Sequence, residues 1–495
     1  MTRLNQASGG LKTHEGGNAC TISPYLQLRR SVMSCMLFEK EFYEDGEEIG
    51  ARIAKLVPLV EPAQCVQLAI DASERANLRH APLLIVREMA RYASHKKFVA
   101  KTLSRIITRP DQITDFLALY WSTNIENKMS GKTKKRTLSH QVKKGLAFAF
   151  RKFNEYQFAK YDRDNQVKLR DALFLSHSKP KDKGKDAPIF TKAERRLLKL
   201  INLEQDATQV FTPNELLYKK IVDRTLTTPD TWEVALSAGK DKHEVFTSLM
   251  LENKLGTIAF LRNLRNMVEA RVSISEIRSY STICKVDRML PYQFIAAAKA
   301  VPQCEPMLET MMARCVEKMP KLQGKIALLI DVSGSMDERL SSKSDMTRLD
   351  AACAVAILIR ELTIEVPFTW TFSSGFVAVP PRKGFALRDA IVNSQRHAST
   401  ELAKAIAHLN KIVIGAGAGM YDTLIVITDE QSSDGIGSVL PGTKGYIINV
   451  ASARNGVGYG QFTHIDGFSS SVVDWLINEQ KEIKNERQHS TSTSL

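Results

Sequence analysis

The chain has 495 residues, 43% hydrophobic and 25% charged, with 69 Lys/Arg against 54 Asp/Glu and a formal net charge of +15. That length exceeds one ordinary core and predicts two or three domains of a globular protein. No run of about 18 apolar residues offers a membrane span, and the polar, Gly-rich start lacks the apolar centre of a signal peptide. Seven scattered cysteines with no CxxC pair argue against a disulfide framework or thiolate zinc site, and fit a reducing cytoplasm.

The charge is unevenly placed. From Ile326 onward there are 15 Lys/Arg and 18 Asp/Glu, which leaves 54 and 36 in the first 325 residues. The whole positive excess therefore lies in the N-terminal two-thirds. An acidic polymer is the partner such a surface suits, and the C-terminal third has a different task.

In chain order, residues 1–22 read as a flexible N-terminal tail. From about Ser23 to Gln323 the pattern is almost wholly helical. Apolar residues at helical spacing predict helices over 25–42, 48–56, 62–74, 82–92, 97–107 and 112–121, several with Pro near their starts. Short amphipathic helices in series cannot each close a core and are expected to stack, as in helical solenoids.

The stretch from Ser139 to His177 organises this region. Val142, Leu146, Ala149, Phe153 and Tyr156 are expected to form one apolar helical stripe. Lys143, Lys144, Arg151 and Lys152 fall largely off it, and Lys160 and Arg163 continue the positive surface. Lys132, Lys134, Lys135 and Arg136 precede it as a denser run. Residues 126–170 hold 13 Lys/Arg against four Asp/Glu, the footprint of a surface that meets phosphates. A solvated helix face is the alternative for such a run. Tyr156, Phe158 and Tyr161 are expected in the core before they are expected as base platforms. Lys179 to Pro188 is a polar, basic loop.

At Lys325 the texture changes. KIALLID is an apolar strand followed at once by VSGSM, and helices and strands then alternate: helix 346–362, strand 366–372, helix 400–412, strands 423–428 and 445–450, and a closing helix over 472–482. This predicts a parallel sheet covered on both faces, followed by a flexible tail over 483–495. Asp331, Ser333 and Ser335 stand at i, i+2 and i+4 just past the first strand, where open α/β sheets gather ligands. A carboxylate and two hydroxyls on a tight loop offer hard oxygens to an octahedral divalent cation such as Mg²⁺. Thr400, which would also serve as a helix N-cap, and Asp429, after the strand TLIVIT, are expected to complete the set. Two carboxylates are few for a two-metal nuclease, and Ser333 stands where a haloacid-type phosphatase needs a second Asp. No catalysis is expected.

DVSGSM with Thr400 and Asp429 resembles the metal-ion-dependent adhesion site of von Willebrand factor A domains. The basic helical region joined to one such domain resembles the Ro ribonucleoprotein family, whose helical part is the TROVE domain. AKYDR with LRDALFLSHSKP (159–180), LGTIAFLRNLRNM (255–267) and RMLPYQFIAAAKA (288–300) carry that resemblance. It implies a mainly α protein, with a ring of HEAT-like repeats over 23–323 and an α/β Rossmann-like A domain over 324–482. It implies binding of a small Y-like RNA on an outer basic surface and of single-stranded 3′ ends of misfolded RNAs in a central hole, in RNA quality control or decay. By the same resemblance Lys160 and His177 stand at RNA contacts. A family arginine would fall at Asp164, with Arg163 one place earlier, and Arg262 and Arg265 are further candidates. A monomer is expected, with an exoribonuclease or other protein recruited through the A domain. The alternative is a metal-dependent protein-recognition adaptor in which the A domain does the binding.

Overall fold

The computed structural model describes residues 11–20, 22–33, 46–122, 137–162, 167–179, 213–228, 231–287, 289–342, 344–415, 420–451, 453, 455–458, 460–467, 472 and 476. The chain divides into two compact units. One is Val60–Ala235; the other joins Met1–Leu59 to Leu236–Leu495. None of the described helices is long and apolar enough to cross a membrane.

The described helices of the second unit begin with α1 (Pro24–Met33) and α2 (Gly46–Leu56), which pack together. The Val60–Ala235 unit holds α3 (Pro62–Glu74), α4 (Ala81–Met89), α5 (Ala93–Ile106), α6 (Asp111–Ser122), α7 (His140–Phe150), α8 (Glu155–Tyr161), α9 (Leu169–Ser176) and α10 (Pro213–Asp223). Their starts follow the sequence signals: Pro62 opens α3, Pro82 sits in the first turn of α4, and the Ser139 hydroxyl caps α7 by accepting from the Val142 amide. Successive helices stack as expected, α3 on α4 and α5, and α7 on α5 and α9. Gly145 permits a close approach of α7 to α5, because a Cβ there would lie 3.0 Å from the Ala100 carbonyl oxygen.

The stripe expected from Val142 to Tyr156 is broken. α7 ends at Phe150, and Asn154 starts α8 with a reciprocal cap: its side chain accepts from the Gln157 amide (2.9 Å) and Gln157 returns the bond to the Asn154 amide (3.0 Å). Phe153 remains buried between the helices, while Tyr156 lies on the new helix and is 52% exposed. A strong local cap overrides a continuous apolar period.

After α11 (Trp232–Ser237), the second unit continues with α12 (Lys242–Leu251), α13 (Thr257–Glu269), α14 (Ile274–Ile283), α15 (Pro291–Ala300) and α16 (Glu305–Val316). Its sheet comprises β1 (Ile326–Asp331), β2 (Phe368–Phe372), β3 (Phe376–Ala378), β4 (Thr423–Thr428), β5 (Lys444–Asn449) and β6 (Phe462–Asp466), in the order β3-β2-β1-β4-β5-β6. All pairings are parallel except β2 with β3. Every residue of β1 and β4 is buried, as their unbroken apolar sequences require of central parallel strands. Against the sheet and α15 lies α17 (Arg348–Leu362), nearly all of it buried; α18 (Gly384–Val392) and α19 (Leu402–Gly415) follow. The sequence reading did not include β3, β6 or α18. The first is only three residues long, and FTHID in β6 is interrupted by polar residues. Of the closing helix, Val472 and Leu476 are described, both helical and buried.

Part of the expected N-terminal tail is seated on this unit. Lys12 and Asn18 form a bridge around a tight turn, Thr13 Oγ1 donates to the Ser432 carbonyl (2.8 Å), and the His14 amide donates to Gln431 Oε1. Gly17 approaches so closely that any Cβ would collide with the Ser432 carbonyl. The loop after β4 is thereby covered, and Glu430, Gln431 and Ser432 are fully buried.

Candidate functional site

Two sets of side chains stand out. The first lies at the carboxyl edge of the sheet, where the chain leaves β1 toward β2 on one side and continues to β4 on the other, the switch point at which open α/β sheets bind ligands. Asp331 ends β1 and Asp429 follows β4, and both are wholly buried. The Ser333 amide donates to Asp331 Oδ1 (2.9 Å), Thr428 Oγ1 donates to its other oxygen (2.6 Å), and Ser333 Oγ lies 3.3 Å from Ser335 Oγ. The Gly334 amide donates to the Ala398 carbonyl (2.9 Å), which ties this loop to the segment carrying Thr400. Thr400 is buried, and its carbonyl accepts from the amide and hydroxyl of Ser433.

Thr400 is not the cap of the helix that follows it. The amides opening α19 are taken by Ser432 Oγ (Leu402, 3.2 Å) and by the two oxygens of Asp434 (Ala403, 3.0 Å; Lys404, 2.9 Å). Burial, then the neighbouring charge of Asp429, push the Asp331 carboxyl well above the usual carboxylate range, with the Thr428 and Ser333 hydrogen bonds pulling partly back. Arg348 offsets some of this charge: its Nη1 is 3.2 Å from Asp429 Oδ2 and 3.2 Å from the Ser335 carbonyl. Two buried carboxylates with the neighbouring Ser333 and Ser335 hydroxyls offer hard oxygens of the kind a divalent cation takes, and Thr400 is the further candidate. Among the described residues no group of three His, Cys, Asp or Glu could hold a metal, so a cation here would rely on the hydroxyls. Thr428 and Arg348 were not singled out from sequence. Thr428 is adjacent to Asp429, whereas nothing local marks Arg348, which reaches the site through the fold.

The second set lies in the Val60–Ala235 unit. Lys143, Lys144 and Arg151 sit on or just after α7, Lys160 in the last turn of α8, and His177 at the C-cap of α9. Because α7 packs on α9, Lys143 Nζ and His177 Nε2 come within 3.3 Å. His177 is exposed and holds a left-handed backbone (φ +52°). Lys144 and Lys160 are exposed, and Lys160 Nζ stands 5.9 Å from the Tyr161 ring centroid, with Arg109 Cζ at 5.1 Å from the same ring. Phe158 is fully buried, as expected of a core residue.

Lys152 is engaged differently. Its ammonium donates to the carbonyls of Ser104 (2.8 Å), Arg105 and Ile107 at the C-terminal end of α5, and partial burial lowers its proton affinity. Arg262 and Arg265 are exposed on α13, in the other unit. Lys132, Lys134, Lys135, Arg136, Arg163 and Asp164 lie outside the described residues.

The crystal structure of the Deinococcus radiodurans Ro (RSR) protein superposes on this chain with a TM-score of 0.55 at 17% identity, over 90% of this chain and 97% of that one. The chain has the Ro fold. The TROVE domain family matches it over residues 222–361, a span that runs from the end of α10 through Asp331, Ser333 and Ser335 to α17 of the α/β domain. No curated protein matches the sequence. In this Ro-type fold, helices precede an α/β domain, as the sequence predicts.

Proposed function

We propose that this protein is a non-catalytic RNA-binding protein of the Ro type, holding RNA on the basic face built by α7, α8 and α9. The observation that carries this reading is the juxtaposition of Lys143 with His177, with Lys144 and Arg151 on the same helix α7 and Lys160 on α8, in a chain with the Ro fold. Structured RNA is read largely by shape through phosphates and ribose hydroxyls, and single strands suit basic grooves with stackable side chains. A small Y-like RNA and the single-stranded 3′ ends of misfolded RNAs are the substrates we assign, with quality control or decay as the task. Asp331, Ser333, Ser335, Thr400 and Asp429 would hold one Mg²⁺, whose open coordination sites would accept a carboxylate of a partner protein such as an exoribonuclease. The buried Asp331–Asp429 pair supports that assignment, since a dication would relieve their repulsion.

RNA affinity across a salt series tests the RNA reading, using a structured RNA with a single-stranded 3′ tail. Log affinity should fall steeply with log salt, about −0.7 per neutralised phosphate on the single strand. The Lys160→Ala/His177→Ala variant should bind more weakly. A flat series with no RNA binding would overturn the reading in favour of a protein-recognition adaptor.

A further inference from the structure

The α7 helix carries one aromatic ring on its wet side. Val142, Gly145, Leu146, Ala149 and Phe150 are buried toward the helices it packs against, but Phe148 is not part of that stripe and is 38% exposed. Lys144, Phe148 and Arg151 stand at i, i+4 and i+7, so all three share the outer face of the helix. Both cations lie close to the ring: Lys144 Nζ is 5.8 Å and Arg151 Cζ 5.6 Å from its centroid. Arg151 is held there by its Nε, which donates to the Lys179 carbonyl (3.2 Å). Beside Lys144 on the same helix, Lys143 meets His177.

We infer that Phe148 is a nucleobase-stacking platform for single-stranded RNA, with Lys144 and Arg151 taking the phosphates on either side of the stacked base. This rests on the RNA reading above and gives the basic face a site that recognises a base as well as charge. An apolar ring gains little in water beyond its two cation contacts. A base laid on it gains a π-face without sequence preference, and the flanking cations neutralise the backbone that brings the base there. The occupant is a single strand, because a base within a duplex has its faces covered by its neighbours in the stack.

The test compares wild type with Phe148→Ala and Phe148→Trp on three probes: oligouridylate, an abasic strand of equal length, and a blunt RNA duplex. Phe148→Ala should weaken oligouridylate binding about tenfold, within the range expected for one lost base stack. Its salt slope should be unchanged, and the abasic strand and duplex should bind as to wild type. Phe148→Trp should restore the affinity, with an added fluorescence quenched by oligouridylate and not by the abasic strand. Equal oligouridylate binding by wild type and Phe148→Ala would overturn the stacking site alone, as would a matching loss on the abasic strand. Wild type that binds none of the three probes would overturn the RNA reading itself. The ring is exposed, so the Ala variant should keep the wild-type thermal midpoint.

Discussion

Arg30 Nη1 lies 2.9 Å from Glu430 Oε2, with both side chains buried, so the first described helix holds an ion pair with the residue next to Asp429. His464 Nδ1 stands 2.6 Å from the other oxygen of that carboxylate, and His464 Nε2 is 2.8 Å from Asp466. Glu430 takes a left-handed backbone (φ +61°) to reach this position. Burial raises its proton affinity, Arg30 and His464 lower it again, and the net direction is up. Arg30→Met should cost about 3–5 kcal/mol, because it strands a buried carboxylate. Protonation of Glu430 removes that buried charge, so the defect relative to wild type should shrink as pH falls. Urea unfolding at two pH values checks both statements, and Glu430→Gln placed on Arg30→Met should recover part of the loss.

At the sheet edge, Asp331→Asn removes one of two buried like charges. Without divalent cation the variant should be more stable than wild type at neutral pH, because burial and the charge of Asp429 disfavour the ionised Asp331 carboxyl. Adding Mg²⁺ should raise the wild-type thermal midpoint and leave the variant unmoved. Scanning calorimetry with and without Mg²⁺ reads both; an equal Mg²⁺ response in the two proteins would remove Asp331 from the cation site.

Lys143 on α7 and Lys152 just past its end should behave oppositely. Lys152→Met deprives the end of α5 of its capping cation and should cost about 1–2 kcal/mol, with RNA affinity kept within twofold. Lys143→Met should leave stability unchanged and reduce the steepness of the salt series by about 0.7. Denaturant midpoints and RNA titrations on the two variants decide it.

His177 separates backbone from side chain. Its left-handed C-cap is a conformation glycine adopts without strain, so His177→Gly should leave stability equal or higher by about 0.5–1 kcal/mol. RNA affinity should nevertheless fall several-fold, since the imidazole beside Lys143 is gone. A loss of stability in step with the loss of affinity would reduce His177 to a helix-end residue.

Gly145→Val tests the seating of α7. A branched side chain at that position meets Ala100 and Leu103 at van der Waals overlap, and overpacking of this kind costs about 1–3 kcal/mol. The Phe148, Lys144 and Lys143 positions would shift with the helix, so weaker RNA binding should accompany the lower thermal midpoint.

The amino-acid sequence by itself determined the switch from helical repeats to an α/β domain at Lys325. Apolar periods of 3.6 residues, proline starts and the unbroken strands IALLI and TLIVIT are local signals that leave little choice of element. It also placed Asp331 and Asp429 together, because parallel strands must present their carboxyl ends on one edge. Only the tertiary structure decided which partners the cations of the basic stretch take. Lys152 and Lys143 look alike in a charge run, yet helix packing gives one to the carbonyls of α5 and sets the other beside His177. The same holds for Arg30, Arg348 and Phe148. Their roles come from partners tens to hundreds of residues away, or from which side of a helix its neighbours leave uncovered, and no local pattern of residues encodes either.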